Sequence, residues 1–102
     1  MNRIVWTEPA LEDVEGIRAY IARDSDSYAD ALVLEIVEAV ERLARFPRLG
    51  RLVPELHDGH TREILVGSYR VAYDVVGDAV RVLTVLHGAR RFTLGGAEGQ
   101  VT

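Results

Sequence analysis

The sequence predicts an α+β fold with an N-terminal strand, an antiparallel helix hairpin and a three-stranded antiparallel sheet packed on the helices. Apolar residues recur every three or four positions in the first half and alternate with polar residues in the second, where two glycine-led dipeptides separate the runs. The chain of 102 residues has the size of one domain. We expect this domain to occupy residues 1–92 and the glycine-rich residues 93–102 to form a flexible tail.

The N-terminal half accounts for the first strand and both helices. Arg3–Trp6 (RIVW) is a short apolar strand, and Thr7 before Glu8-Pro9 predicts a helix start with a hydroxyl cap. The first helix has an apolar stripe consisting of Leu11, Val14, Ile17 and Ile21. Residues 24–27 (DSDS) interrupt this pattern, and a second helix follows with the stripe Leu32, Ile36, Val40 and Leu43. Because the connection is short, we expect the two helices to pack as an antiparallel hairpin.

The C-terminal half accounts for a loop and three strands. Residues 47–61 (PRLGRLVPELHDGHT) have no clear period and predict a loop, which is long for so small a domain. Gly67-Ser68 and Gly77-Asp78 have the pattern of two-residue hairpin turns, which would pair Val71 with Ile64 on one side and with Thr84 on the other. The face expected to cover the helices is then nearly all apolar and comprises Ile64, Val66, Tyr69, Val71, Tyr73, Val75, Val80, Val82, Thr84 and Leu86.

The opposite face of the predicted sheet carries charged residues. Asp74 falls opposite Arg81, which predicts a cross-strand ion pair. Arg70 falls diagonal to Glu63 on one neighbouring strand and to His87 on the other. In one interpretation Arg70 simply bridges to Glu63 and supports the fold. In the other, the three residues cleave a phosphodiester, with Glu63 as general base, Arg70 on the phosphate and His87 as general acid.

Composition excludes several classes of site. The chain has no cysteine, which rules out disulfides, thiolate zinc sites and cysteine nucleophiles. No apolar run approaches the length of a signal peptide or a membrane span, so we expect a cytoplasmic protein that does not contact the membrane. We expect neither a metal nor another cofactor.

The charges divide the chain into two unlike halves. Residues 1–41 hold three arginines and ten carboxylates, a net −7, whereas residues 42–92 hold nine arginines and five carboxylates, a net +4. All twelve basic residues are arginine, which can reflect the composition of the source genome. Because arginine also binds carboxylate and phosphate in a bidentate manner, the basic half is a candidate surface for an acidic partner.

Three blocks of the sequence carry a resemblance to a known superfamily. They are FPRLGRLVPEL at residues 46–56, REILVGSYRVAYDV at residues 62–75 and VRVLTVLHGARR at residues 80–91. Together with the order of strand, helix hairpin, loop and meander, they resemble the RelE/ParE toxins of bacterial type II toxin–antitoxin systems over residues 3–92. The resemblance implies a toxin that forms a hetero-oligomer with a small cognate antitoxin, whose C-terminal segment is disordered when free.

The superfamily has two functional branches, which differ in their targets. RelE-like members cut messenger RNA on the ribosome, and ParE-like members poison DNA gyrase without being nucleases. The VLHGARR ending and the loop resemble the ParE-like branch, and the acidic net charge of −4 without lysine disfavours a ribosomal RNA site. A RelE-like endonuclease using Glu63, Arg70 and His87 is the alternative. A third possibility is a non-toxic relative, or an unrelated domain of the same topology, that only binds a partner.

Two sets of residues are candidate contact sites. His87, Arg90 and Arg91 would form a basic surface for gyrase or its bound DNA, unless the two arginines are only a solvated chain end. The antitoxin is expected to cross the helix hairpin and the 47–61 loop, where its candidate contacts are Leu11, Val14, Arg51, Val53 and Leu56.

Overall fold

The computed structural model describes residues 1–90, which form one sheet covered by two helices. The elements in chain order are β1 (Arg3–Trp6), α1 (Glu8–Ala22), α2 (Asp26–Glu41), β2 (Arg51–Leu52), β3 (Arg62–Val66), β4 (Tyr69–Val76) and β5 (Ala79–His87). The expected α+β order is therefore confirmed. Arg91 and the proposed tail at residues 93–102 lie outside the described residues.

The sheet has five strands in the order β1-β5-β4-β3-β2, rather than the three expected from the sequence. At one edge, β1 pairs in parallel with β5, from Arg3 opposite Ala79 to Trp6 opposite Val82. At the other edge, β2 pairs with β3 through two residues, which is too short a strand to give a periodic signal. The sheet is therefore mixed, and only its central meander was predictable from the alternation.

Side-chain caps start both helices and connect the first one to the sheet. Thr7 accepts a hydrogen bond from the Ala10 amide, and its hydroxyl donates to the Val82 carbonyl at 2.7 Å. Ser25 caps α2 by accepting from the Tyr28 amide. Within residues 1–90, neither helix combines the length and apolar character needed to cross a membrane.

The expected stripe of α2 forms the centre of the core. Leu32, Ile36 and Val40 are buried in the main apolar cluster, and Leu43, on the single 3₁₀ turn that follows α2, packs in a second cluster with Tyr73 and Val80. Three residues of the expected α1 stripe, Val14, Ile17 and Ile21, pack against the same main cluster, whereas Leu11 is 50% exposed and Ala10 is fully buried. Leu11 therefore lies on the outer surface of the hairpin.

A β-bulge changes the register of β5 beyond Val82. The pairs near the turns are those expected, including Val66 with Tyr69 and Val75 with Val80. Between Tyr73 and Ala72, however, the partner on β5 jumps from Val82 to Thr84, which leaves Leu83 as an extra residue. The expected pairing of Val71 with Thr84 is therefore wrong.

The residues beyond the bulge change faces. Val71 pairs with Val85, which is buried in the main cluster on the helix side. Leu86 accordingly leaves the face assigned to it from the sequence and packs with Val53 and Ala72, whereas the Thr84 hydroxyl still donates to Asp13 of α1.

The segment between α2 and β3 crosses the face of the sheet that points away from the helices. Val53 is buried there against Ala72, and Leu56 and Leu86 pack on the same small cluster. The Tyr73 hydroxyl fixes the start of the segment, since it accepts from the Gly50 amide at 2.9 Å and donates to the Pro47 carbonyl at 2.8 Å. The segment therefore covers this face of the sheet and places its own polar groups next to the charged side chains of β3 and β4.

Candidate functional site

Arg70 is the centre of a buried ion-pair network beneath this cover. The residue is 6% exposed. Its Nε donates to Oε1 of Glu63 at 2.7 Å, and its two terminal nitrogens donate to the two oxygens of Glu55, each also at 2.7 Å. The bond to Glu63 confirms the expected bridge, while Glu55 comes from the segment predicted as a loop. Both carboxylates stabilise the charged guanidinium, and the bonds from Glu55 are the main cause of its raised pKa.

Glu63 links Arg70 to a second arginine. Its other oxygen accepts from Nε of Arg51 at 2.7 Å and forms an ion pair with a terminal nitrogen of the same side chain, also at 2.7 Å. The Glu63 side chain is 1% exposed, so a charge there depends on its two arginine partners. The four residues Arg51, Glu63, Arg70 and Glu55 form a chain of alternating charge whose formal sum is zero. We call these four residues the buried network.

A separate pair at the other end of the same face matches the sequence prediction. Arg81 donates to both oxygens of Asp74, at 2.9 and 2.6 Å. This bidentate pair raises the pKa of the Arg81 guanidinium. It has the ordinary role of a cross-strand contact on a half-covered face.

His87 does not join Glu63 and Arg70, contrary to the expected alignment. Because of the bulge, Arg70 pairs with Leu86, and His87 pairs with Tyr69 on the opposite face of the sheet. The two rings meet edge to face with centroids 5.6 Å apart. The His87 Nδ1 also accepts a hydrogen bond from the Ala89 amide. The three residues of the hypothetical nuclease site are therefore divided between two faces.

The chain after His87 is fastened to the neighbouring strand connection. The Gly88 amide donates to the Ser68 carbonyl at 2.7 Å, and the Arg90 amide donates to the His87 carbonyl at 2.9 Å. A terminal nitrogen of Arg70 donates to the Arg90 carbonyl at 3.1 Å. The side chains of His87 and Arg90 are exposed. We call His87, Arg90 and the following Arg91 the basic end; Arg91 itself lies outside the described residues.

An open cleft of about 480 Å³ lies between the buried network and the basic end. Its lining combines the network residues Arg51, Glu55 and Arg70 with Leu65, the turn residues Gly67 and Ser68, and Gly88. Leu65 is an exposed apolar residue. The cleft therefore offers an apolar surface bordered by charges that are already paired within the chain.

The residues expected to bind the antitoxin occupy unlike positions. Leu11 and Arg51 are exposed, and Val14 is half-buried against the main core. Val53 is 3% exposed beneath its own segment, and Leu56 is half-buried beside it. Leu11 and Arg51 are thus available to a partner in this conformation, whereas Val53 primarily holds the segment on the sheet.

Glu55 is the site residue that sequence reasoning missed. Its segment has no period that would indicate where a side chain points. The signal that could have found Glu55 is the small number of carboxylates in the arginine-rich half, which contains only five. Four of them, Glu55, Glu63, Asp74 and Asp78, form ion pairs with arginine. A carboxylate among so many arginines is a good candidate for such a pair.

Known protein families and relatives match nearly the whole chain. Residues 4–92 match the family described as the ParE toxin of type II toxin–antitoxin system, parDE. Toxin RelE2 of Caulobacter vibrioides is 34% identical over 91 residues, which cover 88% of this chain and 99% of that protein. Toxin ParE3 of the same organism is 30% identical over 103 residues, and the alignment covers 100% of both.

Solved structures of toxin–antitoxin systems have the same fold. A chain of the chromosomal ParDE system from P. aeruginosa superposes with a TM-score of 0.72 at 23% identity, covering 85% of this chain and 96% of that chain. A chain of the RelBE2 toxin–antitoxin complex from Mycobacterium tuberculosis superposes with a TM-score of 0.61 at 22% identity, covering 84% and 96%. The relatives and structures bear names from both branches, ParE and RelE.

Proposed function

The chain belongs to the ParE toxin family of type II toxin–antitoxin systems, and we propose that it arrests growth in the cytoplasm by poisoning DNA gyrase rather than by cutting RNA. A type II toxin acts on an essential cellular process when its antitoxin is absent. The choice between the two targets depends on whether the chain carries a site that could cleave a phosphodiester.

The arrangement of Arg70 is the observation that carries the proposal. A phosphate-binding arginine needs donors that are free to meet the substrate. Here three of the Arg70 N–H groups are directed at Glu63 and Glu55 and a fourth at the Arg90 carbonyl. Glu63 is likewise held by two arginines, and His87 lies on the other face. The buried network therefore serves packing and orientation better than acid–base chemistry.

The charge of the protein also favours gyrase over the ribosome as the proposed target. Association with ribosomal RNA gains free energy by releasing counterions, which requires many unpaired basic groups on the protein. The chain has a net charge of −4, and its arginines Arg51, Arg70 and Arg81 are paired with carboxylates. The exposed Arg90 gives the basic end a smaller positive surface, suited to a contact with gyrase or with its bound DNA.

The partner that silences the toxin is proposed to be an antitoxin bound across the helix hairpin and the 47–61 segment. Exposed apolar side chains on the hairpin include Leu11, Tyr20, Tyr28 and Leu34. Such a surface fits an apolar face of a partner helix, and the ten carboxylates of residues 1–41 would favour basic residues around that face. The toxin and antitoxin would then form a hetero-oligomer.

Purified gyrase tests the proposed target directly. The toxin, freed from its antitoxin, is incubated with gyrase, supercoiled plasmid and ATP, and the DNA is analysed after detergent and protease treatment. We expect toxin-dependent linear DNA and loss of supercoiling, both abolished by adding antitoxin. The same preparation is added to a translating extract with a reporter messenger RNA. Cleaved messenger RNA with unaffected gyrase would overturn the proposal and indicate a RelE-like endonuclease.

A further inference from the structure

We propose that Glu55 and Arg70 are positioning residues that hold the backbone of Arg90, so that the side chains of His87 and Arg90 meet their target in one fixed conformation. The inference rests on the proposed function, because it takes the basic end to be the toxic surface. It assigns a role to the buried network, which the proposed function otherwise leaves as a part of the fold.

The geometry of the guanidinium carries the inference. One terminal nitrogen of Arg70 donates both to Oε2 of Glu55 at 2.7 Å and to the Arg90 carbonyl at 3.1 Å. The other terminal nitrogen donates to Oε1 of Glu55. Because the guanidinium is planar, two bonds to one carboxylate fix its plane and thereby direct the second N–H of the first terminal nitrogen at Arg90. Glu63, bonded to Nε, fixes the same plane from the opposite side.

Arg90 has both of its backbone groups engaged by this arrangement. Its amide closes a turn onto the His87 carbonyl, and its carbonyl accepts from Arg70. The turn is close to the β3–β4 connection, since a Cβ built on Gly88 would lie 3.1 Å from the Ser68 carbonyl oxygen and 3.8 Å from Cγ of Arg70. The exposed side chains of His87 and Arg90 therefore project from a backbone that is bonded to β4 through Arg70.

Glu55 is the more accessible of the two carboxylates that hold Arg70. Its side chain is 17% exposed, against 1% for Glu63, and it lies on a segment rather than within a strand. Glu55→Gln keeps the size of the side chain but replaces one of the two acceptors by a donor, which faces a donor of Arg70. The bidentate contact is then lost, and the guanidinium is held by Glu63 through Nε alone, which directs its terminal nitrogens less firmly at Arg90.

Asp74→Asn provides a matched control. It removes the other bidentate carboxylate–guanidinium pair on the same face of the sheet, between Asp74 and Arg81. That pair is formed by residues remote in register from Arg90, since Asp74 pairs with Arg81 whereas Tyr69 pairs with His87. Both variants lose a bidentate carboxylate–guanidinium pair, but only Glu55→Gln affects the guanidinium that holds the Arg90 backbone.

The experiment measures hydrogen exchange and growth arrest for the wild type and both variants. We expect Glu55→Gln to speed amide exchange at residues 87–90 by about tenfold, the change expected from losing a hydrogen bond to a charged donor. It should also require about tenfold more expressed toxin for growth arrest, if the same loss of order reaches the toxic surface. Asp74→Asn should change neither readout beyond its effect on global stability.

Three outcomes would overturn the inference. They are unchanged exchange at residues 87–90 in Glu55→Gln, faster exchange with undiminished growth arrest, and equal effects of Asp74→Asn on both readouts. The gyrase assay is scored separately. Growth arrest without gyrase cleavage would reject the proposed target, and the three outcomes above would still test whether Glu55 and Arg70 hold the Arg90 backbone. If the wild-type chain fails to arrest growth, the proposed function is wrong, and the exchange rates alone test whether Glu55 and Arg70 hold the Arg90 backbone.

Discussion

Gly50 lies where the covering segment approaches the sheet, and no larger residue fits there. A Cβ at this position would lie 2.5 Å from the Glu63 carbonyl oxygen and 2.8 Å from the Tyr73 hydroxyl. Neither neighbour can move freely, because the first belongs to β3 and the second is hydrogen-bonded to Gly50 and Pro47. The phenol is fully buried, which raises the pKa of Tyr73 and keeps it a neutral donor and acceptor.

Gly50→Ala should lower the free energy of unfolding by about 2–3 kcal/mol, because the methyl group forces the segment away from Tyr73. Gly16→Ala is the control, since nothing lies within 4 Å of a Cβ there. In the middle of α1 the alanine should raise stability by up to about 1 kcal/mol. Urea denaturation of both variants measures the difference. Equal stabilities of the two variants would show that the segment moves to accommodate the methyl group at Gly50.

Asp58 fixes the turn at the end of the same segment. Its carboxylate accepts from the Thr61 hydroxyl at 2.6 Å and from the amides of Thr61 and His60 at 2.9 and 3.0 Å. The bonds from Thr61 are the main cause that lowers the pKa of Asp58 from 3.8 to about 2. Since the folded pKa is the lower one, the ionised carboxylate stabilises the fold above about pH 4. That stabilisation is lost as the pH falls towards 2.

Asp58→Asn should therefore lower stability by about 1 kcal/mol at pH 7, a value reduced by the partial exposure of the site. The difference from the wild type should shrink between about pH 4 and pH 2, where the native carboxylate becomes protonated. Thermal unfolding across this range measures it, with Glu35→Gln on the exposed face of α2 as a control. A difference that stays constant down to pH 2 would contradict the assigned cause.

At the scale of elements, the sequence predicted the features that follow from a periodic pattern of apolar residues. The α2 stripe and the pairs next to both glycine turns are as expected, because each follows from spacing within a few residues. The bulge at Leu83 was not predictable, since an extra apolar residue in a run of apolar residues leaves no trace in the pattern. The Arg51–Leu52 strand and the Glu55 contact depend on a partner distant in sequence, which local spacing does not report.

The helix hairpin gives an element-level prediction about the antitoxin. Leu11→Asp places a charge on the exposed face of α1 and should weaken antitoxin binding at least tenfold, because an apolar contact is replaced by a desolvated carboxylate. Val76→Asp is the control, an equally exposed apolar residue at the end of β4. Calorimetric titration with the antitoxin measures both affinities. If both variants bind like the wild type, the antitoxin crosses a different surface.

The whole molecule is electrically asymmetric, and the asymmetry separates its two proposed partners. The acidic helices carry the helical part of the proposed antitoxin surface, while the basic end belongs to the arginine-rich half. A basic antitoxin face and an acidic or nucleic-acid target would therefore approach different parts of the protein. Growth arrest and antitoxin binding should consequently be separable by mutation.

Replacing Arg90 and Arg91 together by alanine should relieve growth arrest and gyrase cleavage, while folding and antitoxin affinity stay close to those of the wild type. Arg42 and Arg45, which are both exposed and lie in the same half of the chain, are replaced together as a charge-matched control. Colony counts after induction and the gyrase assay measure the effect. Full toxicity of the first double variant would mean that the target contacts another surface, with the segment Pro47–Thr61 as the next candidate.

The parallel pairing of β1 with β5 has a consequence for synthesis of the chain. Arg3 pairs with Ala79, and Thr7 donates to the Val82 carbonyl, so the first strand has no partner until the last strand has been translated. At about 5–20 residues per second, this interval lasts roughly 4–15 s. The helix hairpin, which we propose as the antitoxin site, is therefore translated before the basic end that the antitoxin has to silence.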